Sequence, residues 1–130
     1  VSKCFGEALG RYMAEQEGLS VIALRIGAFQ PLSKTQDPKN ISWMNIFVSH
    51  RDLRQLIVRC IDDTTLQFAI FNALSNNRFN RLDISAAEEL VGYDPKDDFM
   101  RENPALQDLH LDKRVRPKNK REKYFCISVC

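Results

Sequence analysis

A helical apolar repeat that runs straight into a branched apolar strand fills the first twenty-nine residues, Val1 to Phe29, and constrains the fold more than any other stretch. Phe5, Leu9, Tyr12 and Met13 recur at i, i+4, i+7 and i+8, the period of a helix with one apolar stripe. Glu7, Arg11, Glu15 and Glu17 fall mostly off that stripe. Gly18 then ends the helix, as a glycine just past a C-terminus does. The next segment, VIALRI from Val21 to Ile26, is apolar at nearly every position and rich in branched residues. That composition predicts a strand covered on both faces, as in a parallel sheet under helices. A helix followed by such a strand is the second half of a βαβ unit, so the expected class is α/β.

At 130 residues the chain can bury one modest core. Hydrophobic residues at 44% and charged residues at 28% exclude both a membrane protein and a disordered one. No apolar run approaches a membrane span, and VSKCFGEALG lacks the basic start and apolar block of a signal peptide, so a cytoplasmic protein is expected. Cys4, Cys60, Cys126 and Cys130 show no C-x-x-C spacing, and His50 and His110 stand too far apart to complete a metal site. The cysteines read as free thiols in a reducing compartment. The net charge of +2 is uneven: KRVRPKNKREK, from Lys113 to Lys123, holds seven basic residues against one acidic.

Beyond the first strand, the stretch from Phe29 to Asn40 carries Pro31, Asp37 and Pro38 and reads as a loop. In doubly wound folds, ligands sit outside the carboxyl ends of strands, and this loop follows such an end. ISWMNIFVSH reads as a short extended segment. Ser49-His50-Arg51-Asp52 has the form of a capping box, and Leu53, Leu56, Ile57, Cys60 and Ile61 predict an amphipathic helix over 51–62. Alternation from Thr65 to Leu74 predicts a strand, with Ser75-Asn76-Asn77-Arg78 as the turn after it. Ser85-Ala86-Ala87-Glu88 forms a second capping box, for a short helix through Leu90 that Gly92 stops. From Met100 the chain loses periodicity, so residues 1–99 read as the globular part and 100–130 as an irregular, basic tail.

Several of these segments share their order with a known family. Ser2-Lys3 with Gly6-Glu7, Leu24-Arg25-Ile26-Gly27, the tryptophan ahead of S-H-R-D-L, FAIFNALSNN, and Leu90-Val91-Gly92-Tyr93-Asp94-Pro95 together resemble the extended short-chain dehydrogenases, the NAD-dependent epimerase/dehydratase group. Within it they are similar to the uronate dehydrogenase-like branch. The resemblance covers nearly all of residues 1–99 and implies the C-terminal part of a Rossmann-type doubly wound fold with a small substrate-side subdomain. It places the chain just beyond the family's Tyr-x-x-x-Lys motif. Lys3 matches the lysine, which in the family lowers the tyrosine pKa and hydrogen-bonds the nicotinamide ribose. The tyrosine would stand two residues before Val1.

The resemblance implies Lys3, Ile26, Gly27, Ala28 and Phe29 as neighbours of NAD or NADP, a sugar or sugar derivative as substrate, and a homodimer through the helix 2–17. Trp43, His50 and Arg51 are the candidates for substrate contact, each against a plainer reading: Trp43 as a core or loop anchor, His50 and Arg51 as capping or solvated residues. Ala28 stands where uronate dehydrogenases carry a serine, and Lys34 and Lys39 occupy the loop that supplies their carboxylate-binding arginine. A lysine lacks an arginine's two-point grip on carboxylate, so the resemblance stops short of uronate.

No G-x-G-x-x-G turn occurs in the chain, so a fragment inactive alone is expected, without tight binding of the dinucleotide. The alternative is a truncated, non-catalytic protein that acts by pairing with a partner through an apolar sheet edge left open. The basic run lacks the interleaved aromatics that stack on bases, which argues against nucleic acid.

Overall fold

A computed structural model describes residues 2–107 of the chain. His110, the basic run, Cys126 and Cys130 lie outside the described residues. The first helix, α1 (Ser2–Glu17), ends as expected at Gly18, whose φ of 68° suits glycine. The chain reverses there, so β1 (Val21–Ile26) runs antiparallel to α1. After β2 (Ala28–Phe29), two 3-10 helices, Leu32–Gln36 and Pro38–Trp43, lead to β3 (Phe47–Val48), α2 (His50–Asp62) and β4 (Phe68–Ala73). The chain then folds α3 (Ser85–Val91), α4 (Phe99–Glu102) and α5 (Pro104–Gln107).

β1 and β4 pair in parallel, from Val21 against Phe68 to Ile26 against Ala73. The alternation of side chains then decides which helix covers which face. On one side Arg25 meets Glu7 of α1, and Gly10 sits so close that a Cβ there would lie 3.0 Å from Val21 Cγ1. On the other side Ile22 and Leu24 pack with Leu53 and Leu56 of α2, Phe71, Ala87 and Val91. Two helices thus cover opposite faces of a parallel pair, the layering of an α/β fold. A second cluster joins Phe47, Phe99, Met100 and Leu106, with the Phe47 and Phe99 rings edge to face at 5.7 Å.

Several expectations change. The stripe on α1 does not face this core: Phe5, Leu9 and Tyr12 are 67%, 46% and 56% exposed, and the buried contact is through Ala14. Small residues let the helix sit close to the sheet, so the large ones are turned outward. β1 is half-buried, not covered throughout, because β4 is its sole strand partner among the described residues. The stretch read as a loop and an extended segment contains two 3-10 helices, the second started by Asp37, whose carboxylate accepts from the Lys39 N–H.

The second capping box does not form. Ser85 is already helical, and Asp83 accepts from both its N–H and its hydroxyl, an Asx turn that outcompetes the serine as a cap. Helices continue to Gln107, so the boundary expected at Phe99 falls inside packed structure. Asn103 holds that end down, its amide donating to the Thr35 carbonyl with both residues fully buried. Cys60 is a free thiol, as expected. No helix among the described residues is long and apolar enough to cross a membrane.

Candidate functional site

The two central strands part company at Gly27. Its N–H still donates to the Ala73 carbonyl, but from Ala28 on the chain pairs with β3: Ala28 N–H donates to Ile46 O at 2.8 Å and Gln30 N–H to Val48 O. On its other edge β3 accepts from the Ser75 N–H through the Phe47 carbonyl. β3 is therefore wedged between the continuations of β1 and β4. A Cβ at position 27 would stand 2.0 Å from Ile46 O and 2.4 Å from Leu74 Cδ2, so only glycine lets the backbones meet there. This divergence lies at the carboxyl ends of the parallel strands, where open α/β sheets bind ligands.

Two apolar side chains remain uncovered at this end, Ile26 at 42% and Phe29 at 45% exposed. The Phe29 ring lies 4.5 Å from the His50 ring, so the strand end and the first residue of α2 form one exposed shelf. Lys3 reaches the same level by helix arithmetic. Glu7 is fixed beside Arg25 by bonds of 2.8 and 2.9 Å. Four residues toward the helix start is about 6 Å on the same face, and about 6 Å along β1 is roughly two residues, which brings Lys3 level with Gly27. Lys3 is exposed there.

His50 and the shelf are held by a buried polar network that begins at the cap of α2. The Ser49 hydroxyl accepts from the Asp52 N–H, the expected cap, and donates to Asp97. Asp52 does not reach back to Ser49 as a capping box would. Its carboxylate, 1% exposed, accepts from the Ser75 hydroxyl at 2.7 Å and from the backbone N–H groups of Lys96 and Asp97 at 3.0 Å. Ser75 in turn accepts from the Ser49 N–H. Asn77 donates to Phe47 O and Asn80 Oδ1, and accepts from the Phe99 N–H. The end of β4, the cap of α2 and the segment 94–99 are thereby tied into one unit.

Among the candidates for substrate contact, His50 lies on the shelf and the other two do not. Arg51 donates to Asp97 at 2.6 Å, so its guanidinium is engaged in the network. Trp43 is half-buried against the second core cluster, as a loop anchor would be. Lys34 and Lys39 are exposed on the 3-10 segment. Tyr93 offers no substitute proton carrier: burial first, then the charges of Asp52, Asp97 and Glu88, push its phenol far above the ordinary tyrosine range, and its hydroxyl donates to Leu74 O. Among the described residues no cluster of His, Cys, Asp or Glu is placed to hold a metal ion.

No protein-family model matches the chain. Individual proteins do. It is 34% identical over 98 residues to an NAD-dependent glucose-6-phosphate dehydrogenase of Haloferax volcanii, covering 75% of this chain and 36% of that one. It is 32% identical over 97 residues to the uronate dehydrogenase of Pseudomonas putida, covering 75% and 34%. The uronate dehydrogenase of Agrobacterium tumefaciens superposes with a TM-score of 0.65 at 28% identity, over 92% of this chain and 41% of that one. The chain is thus similar to NAD-dependent sugar dehydrogenases of the uronate dehydrogenase type, with their Rossmann-type α/β layering. It spans 34% to 41% of the lengths of these relatives.

Against the dinucleotide that this similarity implies, the residues present suit one end of a nicotinamide: exposed apolar side chains at a strand end, with the exposed Lys3 near the helix start. Nothing in the sequence suits the pyrophosphate, since no glycine-rich turn occurs in it. Sequence reasoning missed Ser75, Asn77, Asn80 and Asp97, all buried. Their one signal is the density of short polar residues in SNNRFN and YDPKDD, which reads equally well as surface turns.

Proposed function

We propose that this chain works as the C-terminal part of an NAD(P)-dependent oxidoreductase or epimerase acting on a sugar or sugar derivative. Lys3 is its contribution to the chemistry, and Ile26, Gly27, Ala28 and Phe29 border the cofactor. NAD, when bound, accepts a hydride from a carbinol carbon, which becomes a carbonyl as its hydroxyl proton leaves to a base. Lys3 holds a positive charge beside that base, the family's tyrosine, and donates to the ribose. Ile26 and Phe29 exclude water from one face of the ring, and His50, its ring tilted against Phe29, faces the substrate side.

The observation that supports this reading is the Glu7 to Arg25 pair, from which helix and strand spacing bring Lys3 level with the end of β1. The substrate class follows the relatives, one named for glucose 6-phosphate and one for uronate. Ala28 and the lysines of the 3-10 segment point away from uronate itself.

Sugar-dependent reduction of NAD tests it, with the chain as given and with the gene product extended upstream to include a glycine-rich turn and a tyrosine four residues before Lys3. The chain alone is expected not to turn over. The extended protein turns over with an aldose or sugar phosphate, and Lys3→Met lowers kcat/KM by about 10²–10⁴-fold. Retention of activity within a few-fold by that variant refutes the role given to Lys3.

A second reading rests on a separate observation, the exposed Phe5, Leu9 and Tyr12 of α1 beside a strand with one partner. An uncovered apolar helix face is a place for a partner, here a second copy packed through the helix 2–17. Light scattering that shows monomer alone at all concentrations rules this out.

A further inference from the structure

We propose that Arg25 is a positioning residue for Lys3: by gripping Glu7 at two points, it keeps the Lys3 ammonium out of an ion pair along its own helix. Its functional meaning rests on the reading of Lys3 above, but the contact itself is tested separately below.

Lys3, Glu7, Arg11 and Glu15 repeat every four residues with alternating sign, the spacing at which helical side chains meet. In an isolated helix Glu7 would serve both Lys3 and Arg11. The fold prevents this. Arg25 approaches from β1 and donates through Nε and Nη2 to the two oxygens of Glu7, at 2.8 and 2.9 Å. Arg11 is placed over the Phe68 ring and beside Glu15 at 3.8 Å. Lys3, left over, has no ion pair among the described residues.

The order of strengths explains the outcome. A planar guanidinium matches both carboxylate oxygens, whereas an ammonium offers a point charge on a flexible stem. The Arg25 and Glu7 side chains are 23% and 19% exposed, so water screens them less than it would screen an outward Lys3 to Glu7 pair. Lysine N-terminal to glutamate is also the weaker orientation on a helix. Of the strands packed on α1, β1 brings Arg25 to Glu7 and β4 brings no charged residue; α1 itself brings Lys3 and Arg11. Without Arg25, Glu7 turns to Lys3, neutralises it and draws its ammonium back along the helix from the strand end.

The test follows the Glu7 carboxyl by carbon NMR through a pH titration of this chain, unaltered and as Lys3→Gln, Arg25→Met and both together. Lys3→Gln is expected to leave Glu7 unmoved when Arg25 is present. In the Arg25→Met background the same change raises the Glu7 midpoint by about 0.2–0.4 of a pH unit, the equivalent of one helical ion pair. An equal rise in both backgrounds means Lys3 already shares Glu7, and a rise in neither means it cannot reach; each overturns the proposal. Arg25→Lys, which keeps the charge and loses the two-point grip, replaces Arg25→Met if that variant does not fold.

In the extended, active protein, Arg25→Met moves the acidic limb of the kcat/KM profile for sugar oxidation to higher pH, because a freed carboxylate disfavours the ionised tyrosine. Adding Glu7→Gln returns the limb. A clamp that was merely structural would stay broken in the double variant, and a profile that fails to return overturns the positioning role. An extended protein without activity would refute the proposed function and leave the titration to decide the contact.

Discussion

Replacing Asp52 by alanine should unfold this chain more readily than any surface change, and the structure says by how much. The carboxylate is buried and accepts three hydrogen bonds, from Ser75 Oγ, Lys96 N and Asp97 N. Ser75 and Asp97 are themselves buried, so their donors are stranded, while Lys96 is exposed and recovers water. Each stranded donor costs about 1–3 kcal/mol. Relief of the nearby Asp97 charge offsets part of this, which leaves a net loss of about 2–4 kcal/mol. That is a large share of the roughly 5–15 kcal/mol of a whole domain. Urea denaturation followed by circular dichroism measures it: with a slope near 1.5 kcal/mol/M, the midpoint falls by about 1.3–2.7 M. Gln55→Ala is the control, because Gln55 ties the same segment to α2 at the surface through Asp94 and should cost under about 1 kcal/mol. A loss for Asp52→Ala no greater than for the control would mean that water replaces the carboxylate and that the network does not hold the segment.

Three further outcomes follow from single contacts. Gly27→Ala places a Cβ against the Ile46 carbonyl and should cost about 3 kcal/mol or more, seen as a lowered urea midpoint; a loss under about 1 kcal/mol would show that β3 can shift aside. Arg25 holds the Glu7 carboxyl below its usual range, chiefly by hydrogen bonding. The pair therefore stabilises fully above the ordinary glutamate pKa and fades as pH falls through the lowered one, so the acid-side drop in Tm should be shallower in Glu7→Gln, and an unchanged slope would refute it. Asp83→Ala should cost about 1 kcal/mol and Ser85→Ala under about 0.5, because the Asp83 carboxylate accepts from the first helical N–H of α3; the reverse order would restore the capping box.

What the sequence discloses here is what local chemistry decides. Gly18 stops α1, Ser49 caps α2 and the branched run forms β1 because each depends on a few adjacent residues. The outward face of α1 was hidden, since periodicity marks a stripe without saying what covers it, and the small residues Gly10 and Ala14 gave the sheet its contact. The buried network was hidden for a related reason: Ser75, Asn77 and Asp97 look like turn residues until distant segments satisfy their hydrogen bonds. Phe29 and His50 could be named singly, but their contact depends on β2 pairing with β3.

Calorimetric titration of NAD tests the central claim most directly, on this chain and on the gene product extended upstream through a glycine-rich turn and a tyrosine. No binding heat is expected from the chain alone, which carries the lysine and the strand end without a cradle for the pyrophosphate, and saturable binding is expected from the extended protein. Tight binding by the 130 residues, or none by the extended protein, would contradict it.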